Sequence, residues 1–270
     1  MADDPRSGFT EVQGIRMHYR EWGDPAAPDL LLVHGWTNYS LGWAGVAERF
    51  AGRYHVVAPD LRGHGESDKP VTGYRLRDFA EDVHQLIANL KLERPVYAGH
   101  SWGGNIGTML AADHPEDISR AFLEDPVYWR MQHAFVTALP GALARLARPE
   151  DEIRAEAREN GLSPEQEDWE VYRNRHFSPH ALTRLLTDNR DWALASEERL
   201  RRIQVPTLIL VGDATVPPQP GAILAQELGH LRSIASPQVV FEFWEGVGHM
   251  MRGTRPEAYN ERLEQWLAGS

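Results

Sequence analysis

The chain has no cysteine. Disulfide staples, thiolate metal sites and a cysteine nucleophile are thereby excluded together, so covalent chemistry must rest on another side chain. Long apolar runs are missing as well, since no stretch approaches the roughly 18 residues that a membrane-spanning helix requires. The opening segment Met1-Ala2-Asp3-Asp4-Pro5-Arg6-Ser7 has neither the basic residues nor the apolar core of an export signal. The expectation is a cytoplasmic protein without a membrane partner. Positive charge is also in short supply: 28 Lys and Arg stand against 39 Asp and Glu, for a formal net charge of −11. Binding a phosphate backbone needs a clustered basic face, and the sequence has none, so no nucleic-acid partner is expected.

What remains is a globular composition. A chain of 270 residues with 42% hydrophobic content suits one α/β domain carrying an insertion. Its most informative stretch is Arg94-Pro95-Val96-Tyr97-Ala98-Gly99-His100-Ser101-Trp102-Gly103-Gly104-Asn105-Ile106-Gly107. A β-prone run here meets Gly-x-Ser-x-Gly, and a small-residue, helix-compatible segment follows, which places Ser101 at a sharp strand-to-helix turn. Gly99 and Gly103 lack the Cβ atoms that would collide where strand and helix cross, and the strained turn presents the serine hydroxyl. The start of the following helix directs amide N–H groups at the same point, making the Trp102 amide a candidate oxyanion donor.

Other strand ends supply further groups. Residues 9–12 and 15–22 flank Gly14 as a hairpin. Residues 30–33 form a continuous apolar run, the mark of a strand covered on both faces. It ends in His34-Gly35-Trp36-Thr37-Asn38, where a turn at Gly35 would aim the Trp36 amide at Ser101 as the second donor; an ordinary strand-to-helix loop reads the same way. A helix with Trp43, Val46, Ala47 and Phe50 on one face and a strand over 54–58 come next. The polar, glycine-rich residues 59–70 then read as a loop. Asp60 and His64 within it are better explained by turn chemistry than as a catalytic pair. Leu76, Phe79, Val83, Leu86, Ile87 and Leu90 recur at helical spacing and predict an amphipathic helix over 76–90.

Alternating strands and helices, the His34-Gly35 loop, Asp60-Leu61-Arg62-Gly63-His64-Gly65-Glu66-Ser67 and Gly99-His100-Ser101-Trp102-Gly103-Gly104 together resemble the α/β-hydrolase superfamily. The resemblance covers nearly the whole chain. It implies an eight-stranded, mostly parallel sheet with helices on both faces, a Ser, acid, His triad in that chain order, and a helical cap inserted after the sixth strand. Residues 121–124 read as that strand. From 127 to 200 the β pattern stops, and helix starts appear at Ser163-Pro164-Glu165-Gln166 and Ser178-Pro179. The core is therefore expected over 1–126 and 201–270, and the cap over 127–200, joined to the sheet only at its two ends. The charged run 149–160 reads as a solvated helix face.

Strands resume at 206–211 and 239–244, with helices over 222–228 and 256–267. His249 follows the last strand on a glycine-rich loop, at the sheet edge where open α/β folds bind ligands, and is the expected base that takes the Ser101 proton. Two carboxylates compete to orient it. Asp213 follows the seventh strand, the commoner place in the superfamily, but directly after Gly212 rather than three residues on. Asp125 ends the sixth strand, a place used by some dehalogenase-like and lactonase-like members, and is favoured; Glu124 should face the other side of its strand.

The expected chemistry is acyl transfer to water by a carboxylesterase or lactonase without metal or organic cofactor. Trp36, Trp102, Tyr128 and Trp129, with Gly35, suggest a pocket for a small apolar or aromatic substrate, although core packing explains Trp129 equally well. In relatives, epoxide hydrolase and dehalogenase chemistry needs a carboxylate where Ser101 stands. A carbon-carbon bond hydrolase, a perhydrolase and a non-catalytic ligand receptor on the same fold remain alternatives. The assembly is expected to be a monomer or homodimer.

Overall fold

Apolar alternation along the strands gives a sheet with two covered faces. The structure, a computed structural model, describes residues 4–128, 131–189, 192–217 and 221–269. Eight strands run in the order β1-β2-β4-β3-β5-β6-β7-β8. These are β1 (Arg6–Val12), β2 (Ile15–Trp22), β3 (Asp29–Val33), β4 (His55–Pro59), β5 (Val96–His100), β6 (Arg120–Glu124), β7 (Thr207–Gly212) and β8 (Val239–Trp244). Pairing is antiparallel at β1/β2 and β2/β4 and parallel from β4 through β8.

Because side chains alternate along a strand, successive residues feed different cores. Leu31, Val33, Val57, Tyr97, Leu123, Ile209 and Val211 face one cluster; Leu30, Leu32, Val56, Ala58, Ala98, Phe122, Leu208 and Leu210 face the other. The first is covered by α2 (Leu76–Leu90) and α3 (Trp102–Asp113), the second by α1 (Ala44–Phe50) and α11 (Pro256–Leu267). Helix α2 buries Leu76, Phe79, Val83, Leu86 and Ile87 on one stripe, each worth about 1.5–3 kcal/mol of apolar transfer, and ends where Lys91 turns left-handed at φ 56°.

Two helix starts differ from the sequence reading. Trp43 closes a 3₁₀ turn (Ser40–Trp43) ahead of α1, fully buried with the Arg252 guanidinium 4.3 Å above its ring. The helix expected from 222 begins later, as α9 (Ala225–Ile234), because Leu224 takes extended backbone at φ −72°, ψ 152° and caps the helix, its N–H donating to Glu227 Oε2 at 2.8 Å.

Between β6 and β7 the chain forms α4 (Met131–Leu146), α5 (Glu150–Glu159), α6 (Pro164–Arg175), α7 (Pro179–Thr187) and α8 (Trp192–Arg202). Helices α6 and α7 start as their sequences predict, with Ser163 and Ser178 accepting from Gln166 N and Ala181 N and proline in the first turn. This segment is also tied to the core at mid-length, beyond its two ends. Ser178 N donates to Gly63 O at 2.8 Å, and Asn189 accepts from Leu76 N at 2.6 Å and donates to Tyr74 O at 2.7 Å. A short α10 (Met251–Thr254) precedes α11. No helix among the described residues is long and apolar enough to cross a membrane.

Candidate active site

Ser101 stands between β5 and α3 at φ 54°, ψ −115°, a conformation that costs a non-glycine residue about 1–3 kcal/mol. The surroundings hold it there. Its N–H donates to Glu124 O at 2.8 Å, its carbonyl accepts from Asn105 N at 3.1 Å, and the Tyr97 hydroxyl donates to Gly103 O at 2.5 Å. A Cβ on Gly103 would lie 2.2 Å from Val33 O, and one on Gly99 would lie 2.4 Å from Gly103 O, so the crossing of β5, α3 and β3 closes only on glycine. The serine is 7% exposed.

The loop after β3 passes directly alongside: a Cβ on Gly35 would be 2.9 Å from Ser101 Cβ. Trp36 thus borders the serine from one side, and Trp102, opening α3, from the other. Trp36 packs edge-on to Phe177, with ring centroids 6.5 Å apart, and Trp102 packs edge-on to Phe79 at 5.8 Å. Tyr128 is fully buried in the core behind α3, its hydroxyl 2.7 Å from Thr108 Oγ1. Trp129 lies outside the described residues.

On the other side, His249 Nδ1 is 2.6 Å from Asp125 Oδ2. Asp125 is fully buried with φ 44°, and its carboxylate also accepts from Gly212 N at 2.9 Å and Ala222 N at 2.7 Å. Three donors converge on this carboxylate. Asp213 points elsewhere. Its Oδ1 accepts from Thr215 N and Oγ1 at 2.9 and 2.7 Å, and its Oδ2 accepts from Gly246 N at 3.0 Å; these bonds, Thr215 foremost, hold its carboxyl below the usual range. It fastens two loops together rather than touching the imidazole. Glu124 accepts from Arg252 N at 3.1 Å and pairs with its guanidinium at 2.6 Å, pinning α10 to the end of β6.

The Ser101 hydroxyl makes no hydrogen bond among the described residues. His249 lies beside His100, the residue before Ser101: the two rings are 4.7 Å apart, and His100 Nε2–H donates to His249 O at 3.1 Å. Catalytic hydrogen bonds often tighten only when substrate is bound. Burial pushes the His100 imidazole well below its ordinary pKa, so it stays neutral.

Phe177, Arg252 and His100 carry no motif that announces them. Phe177 and Arg252 reach the site from other elements, and His100 occupies a variable position of Gly-x-Ser-x-Gly. An open cavity of about 580 Å³ at β8, lined by Glu242, Phe243, Trp244, Glu245, Arg255 and Ala258, includes none of the residues gathered at the strand ends. Among the described residues, His84, His114 and Asp117 could together hold a metal ion, but they sit at the far end of α3 from Ser101.

A family model described as alpha/beta hydrolase fold matches residues 28–249. A soluble epoxide hydrolase from Corynebacterium sp. (strain C12) is 37% identical over 116 residues, 43% of this chain and 40% of that protein, so the match spans well under half its length. The enol-lactonase from Burkholderia xenovorans LB400 superposes with a TM-score of 0.78 at 21% identity, covering 97% of this chain and all of that one (100%), a likeness of fold. Est816, described as an N-acyl homoserine lactone degrading enzyme, superposes with a TM-score of 0.72 at 25% identity over 96% of this chain and 99% of its own.

Proposed function

The chain belongs to the α/β-hydrolase family as a hydrolase, and from that premise we propose that it cleaves an ester or lactone bond of a small, apolar or aromatic substrate through an acyl-Ser101 intermediate. The observation that carries this reading is the 2.6 Å contact between His249 Nδ1 and Asp125 Oδ2, beside a serine held at φ 54°. With the proton fixed on Nδ1 by the carboxylate, Nε2 is left to take the proton of Ser101 as its oxygen attacks the carbonyl. The amides of Trp36 and Trp102 flank the place where negative charge develops, and the N-terminal end of α3 adds its dipole. His249 then returns the proton to the leaving alkoxide and activates water against the acyl-enzyme.

Ser101 favours acyl transfer over epoxide opening, which in relatives needs a carboxylate at this place. The ring of Trp36, following the Gly35 turn beside Ser101, and the Phe177 ring packed on it favour an apolar acyl group, and the likeness to a lactone-degrading enzyme supports a lactone among the substrates. The segment over 127–200 serves as the cap of this site, since Phe177 and Arg173 extend from it to Trp36 and Thr37. The decisive test is Ser101→Ala assayed with p-nitrophenyl esters and homoserine lactones. Hydrolysis should vanish while circular dichroism is unchanged, and substantial turnover by the folded variant would refute the assignment.

A further inference from the structure

A second serine in the chain has a more complete set of hydrogen bonds than Ser101. Ser7 is an exposed residue of β1, and its Oγ lies 2.7 Å from His18 Nε2 on β2. His18 Nδ1 lies 2.8 Å from Asp60 Oδ2. His18 and Asp60 are 1% and 0% exposed, so the pair is closed to water except where Ser7 caps it. Asp60 also accepts from Ser40 N at 2.7 Å and Glu66 N at 2.9 Å. Burial alone would raise its pKa, but the bonds from His18, Glu66 and Ser40 outweigh burial and hold it well below the usual carboxylate range.

An anionic Asp60 keeps the imidazole proton on Nδ1. The Nε2 lone pair then faces Ser7, whose O–H donates to it, which is the relation between nucleophile, base and orienting carboxylate that activates a serine. Two neighbours complete the surroundings. Arg20 stands directly opposite Ser7 in the β1/β2 register, so both side chains leave the same face, and its guanidinium is held by Ser40 Oγ at 2.5 Å. Its Nη1 lies 3.9 Å from Asp60 Oδ2, adding positive charge beside the carboxylate. Phe9, on that face too and 41% exposed, offers apolar surface with its ring 5.0 Å from that of His18.

We propose that Ser7, with His18 as base and Asp60 as orienting carboxylate, is a second nucleophilic serine that takes the acyl group of an activated carboxylic ester. In this step the Ser7 Oγ–acyl bond forms and the bond from the acyl carbon to the alcohol oxygen breaks. The serine proton passes to His18 Nε2 and on to the departing alkoxide, leaving O-acyl-Ser7 and free alcohol. No helix starts at Ser7 to supply paired amides for the oxyanion, so the reaction is stoichiometric labelling, slow beside turnover at an oxyanion hole.

The test uses the full-length Ser101→Ala protein with p-nitrophenyl acetate, followed by peptide mass mapping; it does not depend on the role assigned to Ser101. Acetylation is expected at Ser7 at least about a hundredfold faster than at exposed Ser233 in the same molecule, the scale of a positioned base. Labelling should disappear in Ser7→Ala and slow by a comparable factor in His18→Gln. Absence of the Ser7 adduct, or a rate equal to that of Ser233, overturns the proposal without any need for the His18 variant to fold. An undiminished rate in a folded His18→Gln protein overturns it equally.

Discussion

Asp125 holds three groups at once: the imidazole of His249, the amide at the end of β7 and the amide of Ala222. Exchanging its carboxylate for an amide in Asp125→Asn leaves one NH₂ facing a donor it cannot accept from, whichever way the side chain is flipped. In serine hydrolases the loss of such an acid reduces kcat by up to about four orders of magnitude, and that scale is expected here. Asp213→Asn should cost roughly tenfold or less, about 1.4 kcal/mol, because Asp213 holds only the loop turn at Thr215 and Gly246. Steady-state kinetics on both variants decides between them, and a larger loss at Asp213 would reverse the assignment. The sequence could propose this contest but not end it, since both carboxylates follow a strand and look alike locally. What separates them is a contact with an imidazole 124 residues away. Ser101 was legible because the constraint on it is local: two glycines, a strand and a helix within a few residues.

At the level of elements, α2 and the strands could be read from periodicity because each buries a single stripe or alternates between two cores. The ties of the helical segment could not be read. Ser178, Asn189 and Phe177 meet Gly63, Leu76, Tyr74 and Trp36 across more than a hundred residues, and no local pattern marks such partners. These ties give the segment a fixed seat over the Trp36 loop. Replacing residues 127–200 with the corresponding segment of another family member should therefore shift acyl-chain preference strongly while leaving chemistry at Ser101 in place. The measurement is kcat/KM across p-nitrophenyl esters of increasing chain length, and an unchanged order of preference would remove the segment from substrate selection.

For the whole molecule, buried imidazoles set the response to acid. Burial depresses His34 to about 4 and His64 to about 3, the nearby His34 adding to the effect on His64. Unfolding frees both to take up protons near the ordinary value of about 6.5. Between those limits the unfolded chain binds more protons than the folded one, so stability is intact above pH 6.5 and falls as the pH drops towards 4. At pH 5 the two together should cost about 4 kcal/mol. Urea titrations at pH 7.5 and pH 5 measure the difference, and equal unfolding free energies would show that folding does not depress these two imidazoles.

The contact between His249 and Asp125 joins residues 124 apart, and the one from His100 to the His249 carbonyl joins residues 149 apart. Pairings so distant along a chain close late, after local helices and hairpins have already formed. A chain still on the ribosome would carry its serine turn long before His249 was made. On the proposed function, recovery of hydrolysis would therefore be a late clock for the maturation of this protein, with half-made molecules chemically silent at Ser101 until the last strand and its histidine arrive.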